Sequence, residues 1–386
     1  MNILFYEWGS YTAGDVASAF KEAGISTDIY QYILTDKNED ERFENELESK
    51  IKNSGYDAVF SVNYFPVIAK VCHKNNIKYI SWSYDNPLNV INIEETLGLS
   101  TNYVFLFDKV QASKYQGLGF DNVYHLPLAV SVQRLNGIQL SSVDKARYMS
   151  DISFVGNLYN SMLGAYINPL EEYQRGYIDG ICTAQSHVYG YYMVDDMLTD
   201  AFMDEINQTY KKVKPDTEFV LPREALSYAM AAEITRKERL SILGLLSAHH
   251  DVSLYSRDKI DGLAGIKQKG AVDYSSEMPK VFKCSKVNMN ITLKILQSGI
   301  PLRVLDIMGC GGFVLSNYQP EISEYFVNGE EIAMYDSVED AYAQADYYLA
   351  HDDIRCDIAR RGLEKVSREF SYRDRVNDML RISGLS

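Results

Sequence analysis

The stretch Asn288-Met-Asn-Ile-Thr-Leu-Lys-Ile-Leu-Gln-Ser-Gly-Ile-Pro-Leu-Arg-Val-Leu-Asp306 holds the densest candidate chemistry in the chain. An apolar run that reads as a strand ends near Thr292, and Ser298-Gly299-Ile300-Pro301 then opens a helix. Glycine lets the backbone approach a ligand, and proline suits the first helical turn. The unpaired amides of such a turn, with the helix dipole behind them, attract a diphosphate. Asp306 falls five residues beyond Pro301. That is about one and a half turns into the helix, where a carboxylate can accept bonds from two ribose hydroxyls. Arg303 brings a fixed charge able to stabilise a leaving nucleoside diphosphate. The plainer alternative is a capped helix carrying Arg303 and Asp306 as an i, i+3 surface pair.

A second cluster is Trp82-Ser-Tyr-Asp85-Asn-Pro87. It follows a predicted strand, which puts Asp85 at a carboxyl edge, and a partly desolvated aspartate there can act as general base for a hydroxyl. Asp-Asn-Pro also encodes an Asx turn. Trp82 and Tyr84 offer rings for stacking on a sugar face, although tryptophan is more often core. Gly9-Ser10-Tyr11, after the first strand, either contacts an acceptor or makes a plain turn. The six histidines show no metal-ligand spacing, and no Asp-x-Asp occurs, so no metal or cofactor is expected.

The elements that must position these residues follow one grammar. Candidate strands at Ile3–Tyr6, Ser26–Tyr30, Ala58–Val62, Lys78–Ser83, Tyr103–Phe107 and Val123–Leu126 alternate with amphipathic segments. Phe43, Leu47 and Ile51, for example, recur at i, i+4, i+8 within a charged stretch. Strand, helix, strand in repetition implies a parallel sheet with right-handed crossovers. The pattern restarts at Ile152 and resumes with strands near Val252–Tyr255, Val287–Ile291, Phe313–Ser316 and Ile332–Tyr335. Thr235 and Glu238 form a capping-box signature that starts a helix there.

The reading is therefore α/β: a Rossmann-like domain over residues 1–135 and a second over 150–370. A helical insertion fills about 160–234, and a terminal helix over 371–386 packs back on the first domain. Open α/β sheets bind ligands at the carboxyl ends of their strands, so two facing sheets make a central cleft with one ligand on each side.

Bulk properties exclude several classes. The formal net charge of −15 argues against nucleic acid or an anionic membrane as partner. Five scattered cysteines without a CxxC pair suggest neither a zinc site nor a disulfide framework, and fit a cytoplasmic setting. The first residues, MNILFYEWGS, read as a strand and not a signal peptide, and no stretch approaches the ~18 apolar residues of a membrane span. A dehydrogenase is disfavoured because no GxGxxG follows the first strand.

The chain resembles the CgeB-like spore-maturation glycosyltransferases, a bacterial family related to the family 1 and 4 glycosyltransferases. The similarity is carried by Gly270-Ala-Val-Asp-Tyr274, Glu277-Met-Pro-Lys-Val-Phe282, Asn288 to Asn290, Ser298-Gly-Ile-Pro to Cys310-Gly-Gly-Phe, and Asn317-Tyr-Gln-Pro-Glu321. Ile152-Ser-Phe-Val-Gly-Asn157, Trp82 to Pro87 and Leu126-Pro-Leu-Ala129 extend it upstream. The resemblance implies a GT-B fold and transfer of a sugar from a nucleotide donor, a UDP-sugar, to an acceptor hydroxyl. It makes Gly299–Pro301 the donor-phosphate loop and Asp306 the ribose clamp, with Tyr274 and Met278 flanking the base and Gly156 and Asn157 facing the diphosphate. Tyr255, Ser256, Asn290, Ser298 and Ile300 complete the expected donor side. Related retaining enzymes carry two glutamates where this chain has Ser298 and Asp306. The competing readings are a nucleotide-sugar epimerase or hydrolase on the same scaffold, or a degenerate carbohydrate-binding subunit.

Overall fold

The computed structural model describes residues 1–385 other than Asn89, Ile91, Lys214, Asp216, Thr217, Asp261 and Ala264. The chain forms two packing units. The first comprises Met1–Gly137, Gly299–Gly309 and Glu364–Ser386. The second comprises Ile138–Ser298 and Cys310–Leu363.

In the first unit β1 (Asn2–Glu7), β2 (Ser26–Gln31), β3 (Ala58–Val62), β4 (Lys78–Ser83), β5 (Asn102–Leu106) and β6 (Val123–His125) form one parallel sheet. Its order is β2-β1-β3-β4-β5-β6. The central strand β3, Ala-Val-Phe-Ser-Val, is buried at every position, as expected of a parallel strand covered on both faces. The helix Glu41–Ser54 buries the predicted stripe of Phe43, Leu47 and Ile51. Asp40 caps its start by accepting the Phe43 amide at 3.0 Å, and Gly55, in the left-handed conformation, ends it.

The terminal helix Tyr372–Ile382 belongs to this unit. Arg375 donates to the Pro127 carbonyl at 2.9 Å, Lys78 donates to the Ser383 carbonyl at 2.6 Å, and Trp82 meets the Tyr372 ring edge-on. The helix Leu302–Gly309 also packs here, a departure from the contiguous second domain read from the sequence. Gly309 permits this, because a Cβ at that position would lie 2.5 Å from Val130.

In the second unit β7 (Ser150–Val155), β8 (Val252–Tyr255), β9 (Ile266–Gln268), β10 (Ser285–Asn290), β11 (Val314–Asn317) and β12 (Ala333–Tyr335) form another parallel sheet. The order is β12-β11-β10-β7-β8-β9, and β9, three residues long, lies outside the predicted strands. Helices Leu163–Ile167, Glu172–Ser186, Val194–Met197 and Asp200–Val213 build the insertion around its own core, which includes Ile178, Phe202, Ile206 and Met230.

The predicted helix start at Thr235 is corrected. One helix runs from Arg223 to Ser247, and Pro222 stands at its head. Thr235 sits in its middle, donating to the Ala231 carbonyl at 2.7 Å and accepting the Lys294 amide at 2.9 Å. The local pattern of a cap was present, but tertiary partners use both residues instead.

Candidate functional site

At the carboxyl edge of the first sheet, Asn63 follows β3 with φ of 67°. Asparagine is one of the few residues besides glycine that adopt this conformation readily. Its side-chain oxygen accepts the Tyr84 amide at 3.1 Å, and its nitrogen donates to Asp85 Oδ2 at 2.7 Å. Burial pushes the Asp85 carboxyl above its ordinary value, while the Asn63 bond and the charge of Lys37 oppose the rise. The result is a half-buried carboxylate with a fixed orientation and an increased proton affinity. Asn63 was not singled out by sequence, although a lone asparagine directly after a buried strand was the available signal.

Beside it, Tyr84 stacks on Trp8 with centroids 6.3 Å apart, and Trp8 donates to the Val62 carbonyl at 2.7 Å. Two acceptor-side expectations are corrected. Trp82 is core, with 3% exposure and its indole nitrogen bonded to the Leu126 carbonyl. The Gly9 and Ser10 amides both donate to Glu7 Oε1, at 2.7 and 2.8 Å, so this loop satisfies itself. Tyr11 is exposed.

The Ser298–Pro301 turn also differs from the expectation of an open anion nest. The Gly299 amide donates to Asp108 Oδ2 at 3.2 Å, and Asp108 Oδ1 caps the helix Lys109–Gly117 through the Gln111 amide. Glycine is required at 299 because a Cβ would lie 2.9 Å from the Phe107 ring. A carboxylate of the protein thus fills part of the place assigned to a diphosphate. Ile300 is core, and Pro301, Leu302 and Arg303 remain partly exposed at the head of their helix.

Asp306 lies 3.6 Å from the Arg303 guanidinium and is 2% exposed, so the i, i+3 pair forms but is not a surface pair. Burial, with the charges of Asp15 and Asp306, holds the Tyr372 phenol well above its ordinary value. Arg134 meets Asp15 in a bidentate pair at 2.9 and 2.6 Å.

At the carboxyl edge of the second sheet, two basic residues missed by sequence reasoning come together with the ends of β7 and β10. Arg239, buried, donates to the Asn157 carbonyl and to the Ile291 carbonyl. Its guanidinium lies over the rings of Phe154 and Tyr159, at 5.0 and 4.7 Å. A Cβ on Gly156 would crowd the Phe154 ring at 3.2 Å, the ring over which this guanidinium lies. Lys294 pairs with Glu238 at 3.2 Å, and Tyr189 donates to the other Glu238 oxygen at 2.7 Å. Lys294 also stands over the Tyr189 ring at 3.6 Å, and burial pushes its ammonium pKa down.

The remaining donor-side expectations divide. Asn157 is exposed and Tyr274 partly exposed. Met278 is corrected to core, with 1% exposure. Asn290 spends its amide nitrogen on Thr292 and Ser316, at 3.0 and 2.9 Å, which ties β10 to β11. Tyr255 is buried with its ring 6.3 Å from Tyr148, and Ser256 accepts the Asp258 amide at 3.1 Å. Ser298 donates to Glu321 Oε1 at 2.7 Å, and the Glu321 amide returns to the Ser298 carbonyl at 3.1 Å. A carboxylate therefore stands beside position 298 even though the residue there is serine. Among the described residues no helix is long and apolar enough to cross a membrane.

Comparisons with known proteins agree with this architecture. Residues 223–381 match the family described as Glycosyl transferase-like. A glycosyltransferase from Rickettsia africae is similar over 99% of this chain and 97% of its own, with a TM-score of 0.60 at 11% identity. HepE of Anabaena, solved with UDP and glucose, is similar over 99% of each chain with a TM-score of 0.57 at 9% identity. Sucrose-phosphate synthase from Thermosynechococcus elongatus covers 99% of this chain and 98% of its own, with a TM-score of 0.57 at 10% identity. No curated protein sequence matches the chain significantly. The fold is GT-B, and within it residues 223–381 are similar to the Glycosyl transferase-like family.

Proposed function

We propose, from the premise of a glycosyltransferase domain on a GT-B fold, that this chain moves a sugar from a UDP-sugar to an acceptor hydroxyl without a metal ion. The observation that carries the reading is the buried Arg239 guanidinium at the carboxyl edge of the second sheet, inside the matched segment 223–381. In a chain of net charge −15, a buried cation at a ligand-binding edge suits an anionic donor. HepE of Anabaena, similar in fold, binds UDP and UDP-glucose, which supports the uridine assignment.

In this reading the acceptor oxygen attacks the anomeric carbon of the donor, and the bond from that carbon to the diphosphate breaks. The electron pair leaves with UDP, and Arg303 offsets the charge that develops there. Asp85 takes the acceptor proton, its raised proton affinity bringing it nearer to the optimum for a base at neutral pH. Asp306 holds Arg303, and in this reading it accepts the ribose hydroxyls. The motif likeness supports a kinship with the CgeB-like family, and the free cysteines suit a cytoplasmic location.

The test is UDP release from UDP-glucose, UDP-galactose and UDP-N-acetylglucosamine, with and without candidate acceptors. Turnover dependent on acceptor supports transfer. Equal turnover without acceptor would make the chain a hydrolase, and binding without turnover would make it a carbohydrate-binding subunit.

A further inference from the structure

The two sheets end in four edge strands, β2, β6, β9 and β12. Three of them are guarded. β6, β9 and β12 are only three residues long. Gln116 also donates to the Val123 carbonyl of β6 at 2.8 Å, and β9 carries the exposed Lys267. Short edges and edge lysines are ordinary defences against pairing with another chain.

β2 has neither. It is six residues long, Ser-Thr-Asp-Ile-Tyr-Gln, with no proline, glycine or basic residue. Among the described residues its backbone bonds run only to β1 and to the Met1 carbonyl, so its outer side is open. Ile29 on this strand is 49% exposed. Ile33, two residues past its end, is 88% exposed, the most exposed large hydrophobic side chain among the described residues. An unguarded edge of this kind is a template for a further strand.

At the start of β2 the same unit has an open hollow of ≈ 480 Å³, whose walls include Met1, Ala23, Ile25, Leu380 and Leu385. By the two-residue period of an extended chain, Ile25, Ile29 and Ile33 share one face. Two-fold symmetry uses all three. When a second copy of β2 pairs antiparallel about an axis at Ile29, that residue meets its own counterpart, Asp28 meets Tyr30 and Thr27 meets Gln31. Ile33 of each copy then stands opposite Ile25 of the other, over the hollow. Asp28 is the only charge on the strand, so no like charges are opposed along it. A foreign strand would have to bring an apolar group at that spacing, whereas a second copy has one by symmetry.

We propose that the chain forms a two-fold dimer through β2, joining its first sheet to that of a second copy, with Ile33 of each copy seated in the hollow of the other. The inference draws on the edge and the hollow alone, so its failure leaves the sugar-transfer reading untouched.

Sedimentation velocity on the full chain, over a range of concentrations, tests it, and a dimer is expected. Ile33→Asp and Ile29→Lys, both at exposed positions, should each weaken association about tenfold or more without changing the circular dichroism. Cross-linking checks the register. In a Cys356→Ser background, which removes the exposed native thiol, Ile29→Cys should join to its own copy through a short bismaleimide, and Ile33→Cys should not. The cross-link needs neither charged variant, so the test stands if one of them does not fold. A chain that stays monomeric, a dimer indifferent to both charges, or cross-linking at 33 in place of 29 would overturn the proposal.

Discussion

Asn63 Nδ2 stands 2.7 Å from Asp85 Oδ2, a bond held by an asparagine in the left-handed conformation. Burial raises the Asp85 pKa and this bond lowers it, so the two effects set the proton affinity of the proposed base. Asp85→Asn should spare UDP binding and lower kcat about 10²-fold. The wild-type rate should rise with pH along an acid limb lying above the ordinary aspartate range, and the variant should lose that limb. Near wild-type turnover would exclude Asp85 as base.

Stability should report the same group with a definite sign. The folded-state pKa is raised, so the native state holds the proton more tightly than the unfolded chain. Wild type should therefore lose stability relative to Asp85→Asn as pH climbs from the ordinary aspartate value through the raised one. Urea midpoints measured across that window check it, and a constant difference would contradict the shift.

Asn63→Ala removes the one hydrogen bond that opposes the burial effect and places a Cβ residue at positive φ. The acid limb should move to higher pH, with a stability loss of about 1–3 kcal/mol. Asn63→Gly relieves the backbone strain but not the lost bond. It should recover stability while keeping the displaced limb.

Asp306→Ala should weaken UDP binding about tenfold or more, the loss of a charge-assisted bond to the ribose. Unchanged affinity in a folded variant would remove Asp306 from the donor site.

Gly299→Ala separates two uses of that glycine. Its Cβ would meet the Phe107 ring at 2.9 Å and the Asp108 Cα at 3.1 Å, and the backbone atom cannot yield cheaply. A destabilisation of about 1–3 kcal/mol is expected from denaturant unfolding without any ligand. Full stability with lost UDP affinity would return the glycine to the role of a phosphate contact.

Metal independence predicts that EDTA leaves UDP-sugar turnover unchanged, whereas loss on chelation and recovery with added Mg²⁺ or Mn²⁺ would reject it.

The strands were legible because parallel sheets need apolar runs: β3 and β4 match their predicted limits residue for residue. What defeated local reading was partnership at a distance. Thr235-x-x-Glu238 has the spacing of a capping box, but Glu238 pairs with Lys294 and the helix passes straight through. Arg239 and the Ile291 carbonyl are 52 residues apart, and no local pattern links them. The Ser298–Pro301 turn was found in the right place between strand and helix, yet its amides were read as free when Asp108 already held one. Hydrophobic spacing says that a helix has a buried face, not which unit receives it, so the allegiance of Leu302–Gly309 to the first sheet was invisible.

The first unit is assembled from three separate lengths of chain, the last of them Glu364–Ser386. During synthesis its sheet can form early, but Tyr372 reaches Trp82, and Ser383 reaches Lys78, only long after the strands they cover have been made. A nascent chain stalled before residue 364 would display the uncovered flank of that sheet, a surface for chaperones or proteases to recognise.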